Sequence, residues 1–338
     1  MAVITVIGAG MMGSALSFPA RDNGHEVRLV GIHNRETIDS VNANLWHPTM
    51  KRFLPEGVKA YHLDSLAEAM DGADLIICGV NSFGVDWFAD NIVPVVPEGT
   101  PVLSITKGLV NGPEGELVPY PVYMQQRAGR KLSINAVGGP CTSYELADRQ
   151  NTVVAFCGED FETLRRIKAL LETDYYHINL TKDVIGLECA VAMKNAYALA
   201  VSLAVGLNEK VNGEGAKQYY NPQAGLFLQS TREATKMLEL VGADPKSLPF
   251  CTGDLYVTIF GGRTRMIGTL LGRGCSYAEA REMLAGVTLE SVVIAGRAAK
   301  AVRELGREEE FPLLIHIDDI INRGAEVDIP WKKFETEY

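Results

Sequence analysis

The chain opens on an apolar run, Ala2-Val3-Ile4-Thr5-Val6-Ile7, and passes directly into Gly8-Ala9-Gly10-Met11-Met12-Gly13 and then Ser14-Ala15-Leu16-Ser17-Phe18. A strand that turns through G-x-G-x-x-G into a helix is the fingerprint of the first unit of a dinucleotide-binding sheet. Gly8 permits the tight turn, Gly10 lets the backbone approach a pyrophosphate, and Gly13 lets the helix pack closely on the strand. With Met11 and Met12 between them, these residues are the expected cofactor cradle, whose free N–H groups lie at the positive end of the helix dipole. Pro19 falls inside the same helix, removes one backbone hydrogen bond at a cost of ~3 kcal/mol, and predicts a kink.

Strands and helices alternate after this turn. Residues 26–30, 74–80, 101–106, 135–137 and 152–156 read as strands, several of them apolar throughout, as strands covered on both faces are. Such alternation predicts an α/β, Rossmann-type doubly wound sheet with ligands at the carboxyl ends of its strands. The residues to inspect are therefore Gly8 to Gly13, His33 to Arg35, Asn81-Ser82, Lys107-Gly108 and Gly139-Pro140. A chain of 338 residues is too long for one ordinary core. From Asp183 the pattern is helix after helix. The expected division is a dinucleotide-binding domain over 1–182 and an all-α substrate-binding domain over 183–338.

A net charge of −10 leaves no broad basic surface for nucleic acid or an anionic membrane. Six cysteines are widely spaced without a C-x-x-C pair, as in reduced, cytoplasmic proteins. No basic segment or cleavage signal precedes the first strand, which points to the cytoplasm as well. The histidines His25, His47, His62, His177 and His316 show no metal-ligand spacing, and no metal is expected.

The first helix of the second half, residues 189–205, is apolar on every side, as a helix at the centre of a core or a dimer is. Lys194 and Asn195 interrupt it, which argues against a membrane span. A lysine in such a helix has two readings. Burial disfavours its charge and brings its pKa towards neutrality, which suits a general acid/base. Otherwise it snorkels to the surface or pairs with a structural carboxylate.

Six collinear motifs complete the pattern: the glycine turn; Ser104-Ile105-Thr106-Lys107-Gly108-Leu109; Gly138-Gly139-Pro140; Met193-Lys194-Asn195; Gly253-Asp254-Leu255 with Thr258; and Gly262-Arg263. With them the chain resembles the NAD(P)-dependent glycerol-3-phosphate dehydrogenases over almost its whole length. The resemblance implies reversible reduction of dihydroxyacetone phosphate to glycerol 3-phosphate. It implies Lys194 as the proton donor, Lys107 as an electrostatic helper, and Asp254 as a contact to the substrate hydroxyls that also holds the lysine. The other reading of Asp254 is a helix N-cap. The resemblance further implies Arg263 as the grip on the substrate phosphate, with Gly139, Thr258 and Thr264 beside the substrate and Ser143 and Arg263 near the cofactor. A homodimer is expected.

Two departures stand out. Thr264 replaces the family's asparagine, and Leu284-Ala285-Gly286 lacks a glutamate that the family carries. They leave room for another small phosphorylated hydroxy compound or a hydroxyacid as substrate. A non-catalytic dinucleotide sensor is a third reading, disfavoured because a sensor has no need of Lys107, Lys194 and Asp254 together. At the tip of the second strand, His33-Asn34-Arg35-Glu36 offers Arg35 for a 2′-phosphate and Glu36 for a ribose hydroxyl, so NADP or NAD fits, with a lean to NADP. Residues 209–215 read as a polar surface loop, and Arg265, Arg273 and Arg303 as solvated.

Overall fold

The computed structural model describes residues 1–33 and 35–337; Asn34, part of the predicted cofactor turn, lies outside the described residues. The chain forms two compact units, Met1–Lys107 with Pro119–Val184, and Gly108–Val118 with Ile185–Tyr338.

The first unit is built on one eight-stranded sheet. From edge to edge its strands are Tyr176–Thr181, Thr152–Cys157, Ile134–Gly138, Val102–Ser104, Leu75–Cys78, Val3–Ile7, Glu26–Gly31 and Val58–His62. The last six run parallel. Thr152–Cys157 is antiparallel to Ile134–Gly138, and Tyr176–Thr181 follows it in parallel. The chain leaves Val3–Ile7 towards Glu26–Gly31 on one side and later returns to Leu75–Cys78 on the other. The crevice between Val3–Ile7 and Leu75–Cys78 is thus the switch point at which such sheets take ligands. The strand Val58–His62 was not among the sequence-predicted strands, since Val58-Lys59-Ala60-Tyr61-His62 carries only a weak period-two signal.

The helical run is interrupted ahead of Pro19, with Leu16 between the two segments still at helical φ and ψ. One short helix spans Met11–Ala15, Leu16 separates it from a second at Ser17–Asp22, and Pro19 falls in the first turn of the second. There a missing N–H costs least.

Among the described residues the second unit is helical except for a hairpin that pairs Leu109–Asn111 with Leu117–Pro119. A single division at 182/183 misses this excursion. Leu109 and Leu117 are buried in the helical core, Arg297 donates from Nη1 to the Leu109 carbonyl at 2.6 Å, and Asn111 Nδ2 donates to the Arg297 carbonyl at 3.0 Å. The central helix, Val184–Asn212, is 29 residues long. It is long and apolar enough to cross a membrane, but most of that apolar stretch is buried inside the protein, as in a core helix. From Gly186 to Gly206 every residue is buried except Lys194 and Asn195. The helix runs through Glu209 to Asn212, so only the end of 209–215 is loop.

Helix Gly262–Arg273 packs on it backbone to backbone. A Cβ on Gly268 would sit 2.5 Å from the Leu199 carbonyl oxygen, and one on Gly272 2.3 Å from that of Leu203. Arg273 is not solvated but donates to Glu209 at 2.7 Å and Glu214 at 2.9 Å. Arg265 donates to the Ile259 carbonyl, and Arg303 pairs with Asp318 and Asp319.

Candidate active site

In the first unit the strand ends carry the predicted cofactor residues. Gly8 has φ +114°, and a Cβ there would lie 2.5 Å from the Gly79 carbonyl oxygen. Only glycine fits this turn. Gly13 is equally confined: its Cβ would lie 2.4 Å from the Gly8 carbonyl oxygen and 3.2 Å from Val6. Gly10 differs. It caps helix Met11–Ala15 with extended φ and ψ, and a Cβ there would meet nothing closer than Gly79 oxygen at 3.9 Å. Among the described residues no neighbour requires a glycine at this position, so a glycine there keeps open the space that an approaching ligand needs. Gly79, on the opposite side of the crevice, is the residue the sequence reading passed over. It looked like the end of an apolar strand, but its own Cβ would lie 2.9 Å from the Gly8 oxygen.

Lys107 follows strand Val102–Ser104 and donates from Nζ to the Gly139 carbonyl at 3.0 Å. Ser143 is buried in the first turn of helix Ser143–Ala147. His33 and Arg35 follow strand Glu26–Gly31, and both are exposed. Arg35 opens helix Arg35–Asn44 and makes one long contact, 3.4 Å, to the exposed Asp64. On so open a surface that pair contributes little.

In the second unit Lys194 projects from the central helix towards helix Leu248–Thr258. Its Nζ donates to Asp254 Oδ1 at 3.0 Å and to Thr258 Oγ1 at 2.8 Å. Thr258 in turn donates its hydroxyl proton to the Asp254 carbonyl at 2.6 Å, so its oxygen is left to accept from the ammonium. Asp254 is buried, seven residues into its helix, which rules out the N-cap reading. Lys194 does not snorkel, since its side chain is only 12 % exposed. Arg263 stands in the first turn of helix Gly262–Arg273, half-exposed and loosely held by Glu290 at 3.4 Å, with Thr264 buried beside it. The structure thus joins Lys194, Asp254 and Thr258 directly and engages Arg263 with a carboxylate that the sequence reading did not single out. Ala285 is exposed.

Residues 3–164 match the N-terminus, and residues 183–331 the C-terminus, of NAD-dependent glycerol-3-phosphate dehydrogenase. An NADP(+)-dependent glycerol-3-phosphate dehydrogenase of Archaeoglobus fulgidus is 32 % identical over 286 residues, 83 % of each chain. The chain belongs to the NAD-dependent glycerol-3-phosphate dehydrogenase family. A glycerol-3-phosphate dehydrogenase [NAD(P)+] of Streptococcus gordonii is 30 % identical over 334 residues, 96 % of this chain and 93 % of its own. The crystal structure of a glycerol-3-phosphate dehydrogenase from Coxiella burnetii shares the fold, with a TM-score of 0.82 and 21 % identity over 98 % of this chain and 97 % of that one.

This dehydrogenase is therefore an oxidoreductase of class 1.1.1 that uses NAD or NADP and a small phosphorylated compound. The residues present fit a dinucleotide: the turn from Gly8 to Gly13 stands at the sheet's switch point, and at Gly10 the space that a Cβ would fill is open.

Proposed function

We propose that the enzyme reduces dihydroxyacetone phosphate to glycerol 3-phosphate, with Lys194 as general acid and NADP as the preferred cofactor. The observation that carries this reading is the Lys194 ammonium, held by Asp254 and Thr258 on the buried central helix. When bound, the dinucleotide supplies the hydride. Charge then develops on the ketone oxygen, and Lys194 delivers the proton while Asp254 and Thr258 fix the direction of its N–H groups. Microscopic reversibility makes the same amine the base in the oxidative direction. Lys107 contributes positive charge that stabilises the developing alkoxide. Arg263 presents a planar fork suited to a phosphate, and its hold on Glu290 is long enough to be exchanged for one. Gly139 and Thr264 complete the substrate contacts, and Gly8 to Gly13, His33, Arg35 and Ser143 those to the cofactor.

NADP preference is supported by the exposed Arg35 at the tip of the second strand and by the NADP(+)-dependent relative from Archaeoglobus fulgidus. The reading includes a cytoplasmic homodimer. Light scattering should give twice 36.8 kDa, and a single-chain mass contradicts the dimer. The exposed Ala285, where a carboxylate is expected, supports a second reading with another small phosphorylated hydroxy compound as substrate.

The test is oxidation of NADPH and NADH, followed by absorbance, against a panel of ketones. Dihydroxyacetone phosphate should be the best substrate and unphosphorylated dihydroxyacetone a poor one. Preference for the unphosphorylated ketone overturns the proposal, and preference for a different phosphorylated ketone selects the second reading.

A further inference from the structure

Between helix Arg35–Asn44 and strand Val58–His62 the first unit carries a small hairpin, in which Trp46–His47 pairs with Arg52–Phe53. Two non-glycine residues in the left-handed region stand immediately before its two strands, Leu45 at φ 65° and Lys51 at φ 54°. That conformation costs an L-residue about 1–2 kcal/mol and persists only where the surroundings enforce it. The enforcement is visible: the Trp46 and Phe53 rings meet edge to face at 4.9 Å, and Met50 and His47 are buried.

The His47 ring is held at both nitrogens. The Met50 N–H donates to Nδ1 at 3.1 Å, and Nε2 lies 3.1 Å from the carbonyl oxygen of Ala9. Burial holds the imidazole below its ordinary pKa, so at neutral pH the ring carries one proton. Because Nδ1 accepts, that proton is on Nε2 and is donated to Ala9. Ala9 stands between the first two glycines of the dinucleotide turn. A trans peptide is planar, with its C=O and the next N–H on opposite edges. Fixing the Ala9 carbonyl towards His47 therefore fixes the Gly10 N–H in the opposite direction, and the bond at the oxygen polarises that N–H. The same hairpin reaches the turn by a second route. Arg52 pairs with Asp148 at 2.9 Å and lies over the Tyr144 ring, and the Tyr144 hydroxyl donates to the Met11 sulfur at 3.7 Å.

We propose that His47 is a positioning residue for the cofactor: its Nε2–H anchors the Ala9–Gly10 peptide so that the Gly10 N–H faces the pyrophosphate. The inference rests on the glycine turn as the dinucleotide site. Two variants separate the two ends of the ring. His47→Gln places an amide N–H where Nε2 was, whereas His47→Asn keeps an acceptor for Met50 and loses the donor to Ala9. Read by fluorescence of the bound reduced cofactor, NADPH affinity should fall about ten-fold in His47→Asn and stay within about three-fold of the parent in His47→Gln. Adenosine 2′-monophosphate, which has no pyrophosphate, should bind all three proteins alike. The amide proton shift of Gly10 in the ligand-free protein should move in His47→Asn and remain near the parent in His47→Gln, which keeps the test readable if affinity changes for another reason. Equal loss in both variants, no loss in His47→Asn, or equal loss for adenosine 2′-monophosphate overturns the proposal. Unchanged NADPH binding by Gly10→Val would instead remove the turn as the site, a separate failure.

Discussion

The glycine turn of the first unit and the lysine centre of the second are built from opposite materials. At the turn the groups open to a ligand are backbone N–H and C=O, and side chains are mostly missing by necessity, since a Cβ on Gly8, Gly13 or Gly79 would come within 3 Å of another of these residues' main chain. At the lysine centre the groups that meet are side chains, Lys194, Asp254 and Thr258, brought from two helices. A backbone site is specified by what must be absent at neighbouring positions in the sequence. A side-chain site is specified by which helices pack, through contacts 60 or more residues apart. Substitutions should accordingly act on stability and cofactor affinity in the first region, and on turnover and substrate affinity in the second.

The largest effect that could break this contrast is at Gly13. Gly13→Val forces a Cβ into the Gly8 carbonyl and should cost upward of about 3 kcal/mol in a denaturant titration. Gly10→Val meets open space and should cost at most about 1 kcal/mol while abolishing dinucleotide binding. If the two glycines behave alike in both assays, the steric account of the turn is wrong.

Within the helical unit a buried acid offers a stability test that leaves the chemistry aside. Glu233 is fully buried, accepts from the Leu313 and Leu314 N–H groups and from Gln229, and its carboxyl is pushed up to about 7 by burial. The folded protein thus holds a proton that the unfolded chain releases near pH 4.5. Stability should fall as pH rises from about 4.5 to 7 and level off above, by up to about 3 kcal/mol relative to Glu233→Gln. Denaturation of both proteins at pH 5 and pH 7.5 checks this, and a gap that widens in the opposite direction contradicts it.

Arg263→Ala should weaken dihydroxyacetone phosphate by about 1.5–3 kcal/mol, read as a 10- to 150-fold rise in KM, with dinucleotide affinity unchanged. The smallest effect sharpens the contrast on the cofactor side. Arg35→Ala should raise the KM for NADPH several-fold and leave NADH nearly unaffected, because Arg35 is exposed and only loosely tied to Asp64. Equal effects on both cofactors remove Arg35 from the ribose site.

This difference in materials also decides what could be read from the sequence. The G-x-G-x-x-G turn and the apolar strands are local patterns, and they led to the parallel sheet and its switch point. Gly79 escaped because its constraint comes from Gly8, 71 residues earlier in the chain. His47 escaped because nothing in its neighbourhood signals a contact to Ala9. The Leu109–Pro119 hairpin escaped because the side chains that claim it, Arg297 above all, lie far along the chain. Lys194 was legible as an anomaly in an apolar helix, but periodicity alone left it between catalysis and structure. Likewise Asp254 could not be told from an N-cap until its helix was seen to begin at Leu248.

The central claim is that Lys194 supplies the proton while the glycine turn binds the dinucleotide without it. It is tested most directly by single-turnover oxidation of bound NADPH on mixing with saturating dihydroxyacetone phosphate, in the parent and in Lys194→Met. The variant keeps the apolar stem and lacks the acid. The account predicts a rate lower by about 10²–10⁴ with NADPH affinity within two-fold of the parent. A rate within a few-fold of the parent, or a parallel loss of NADPH affinity, would contradict it.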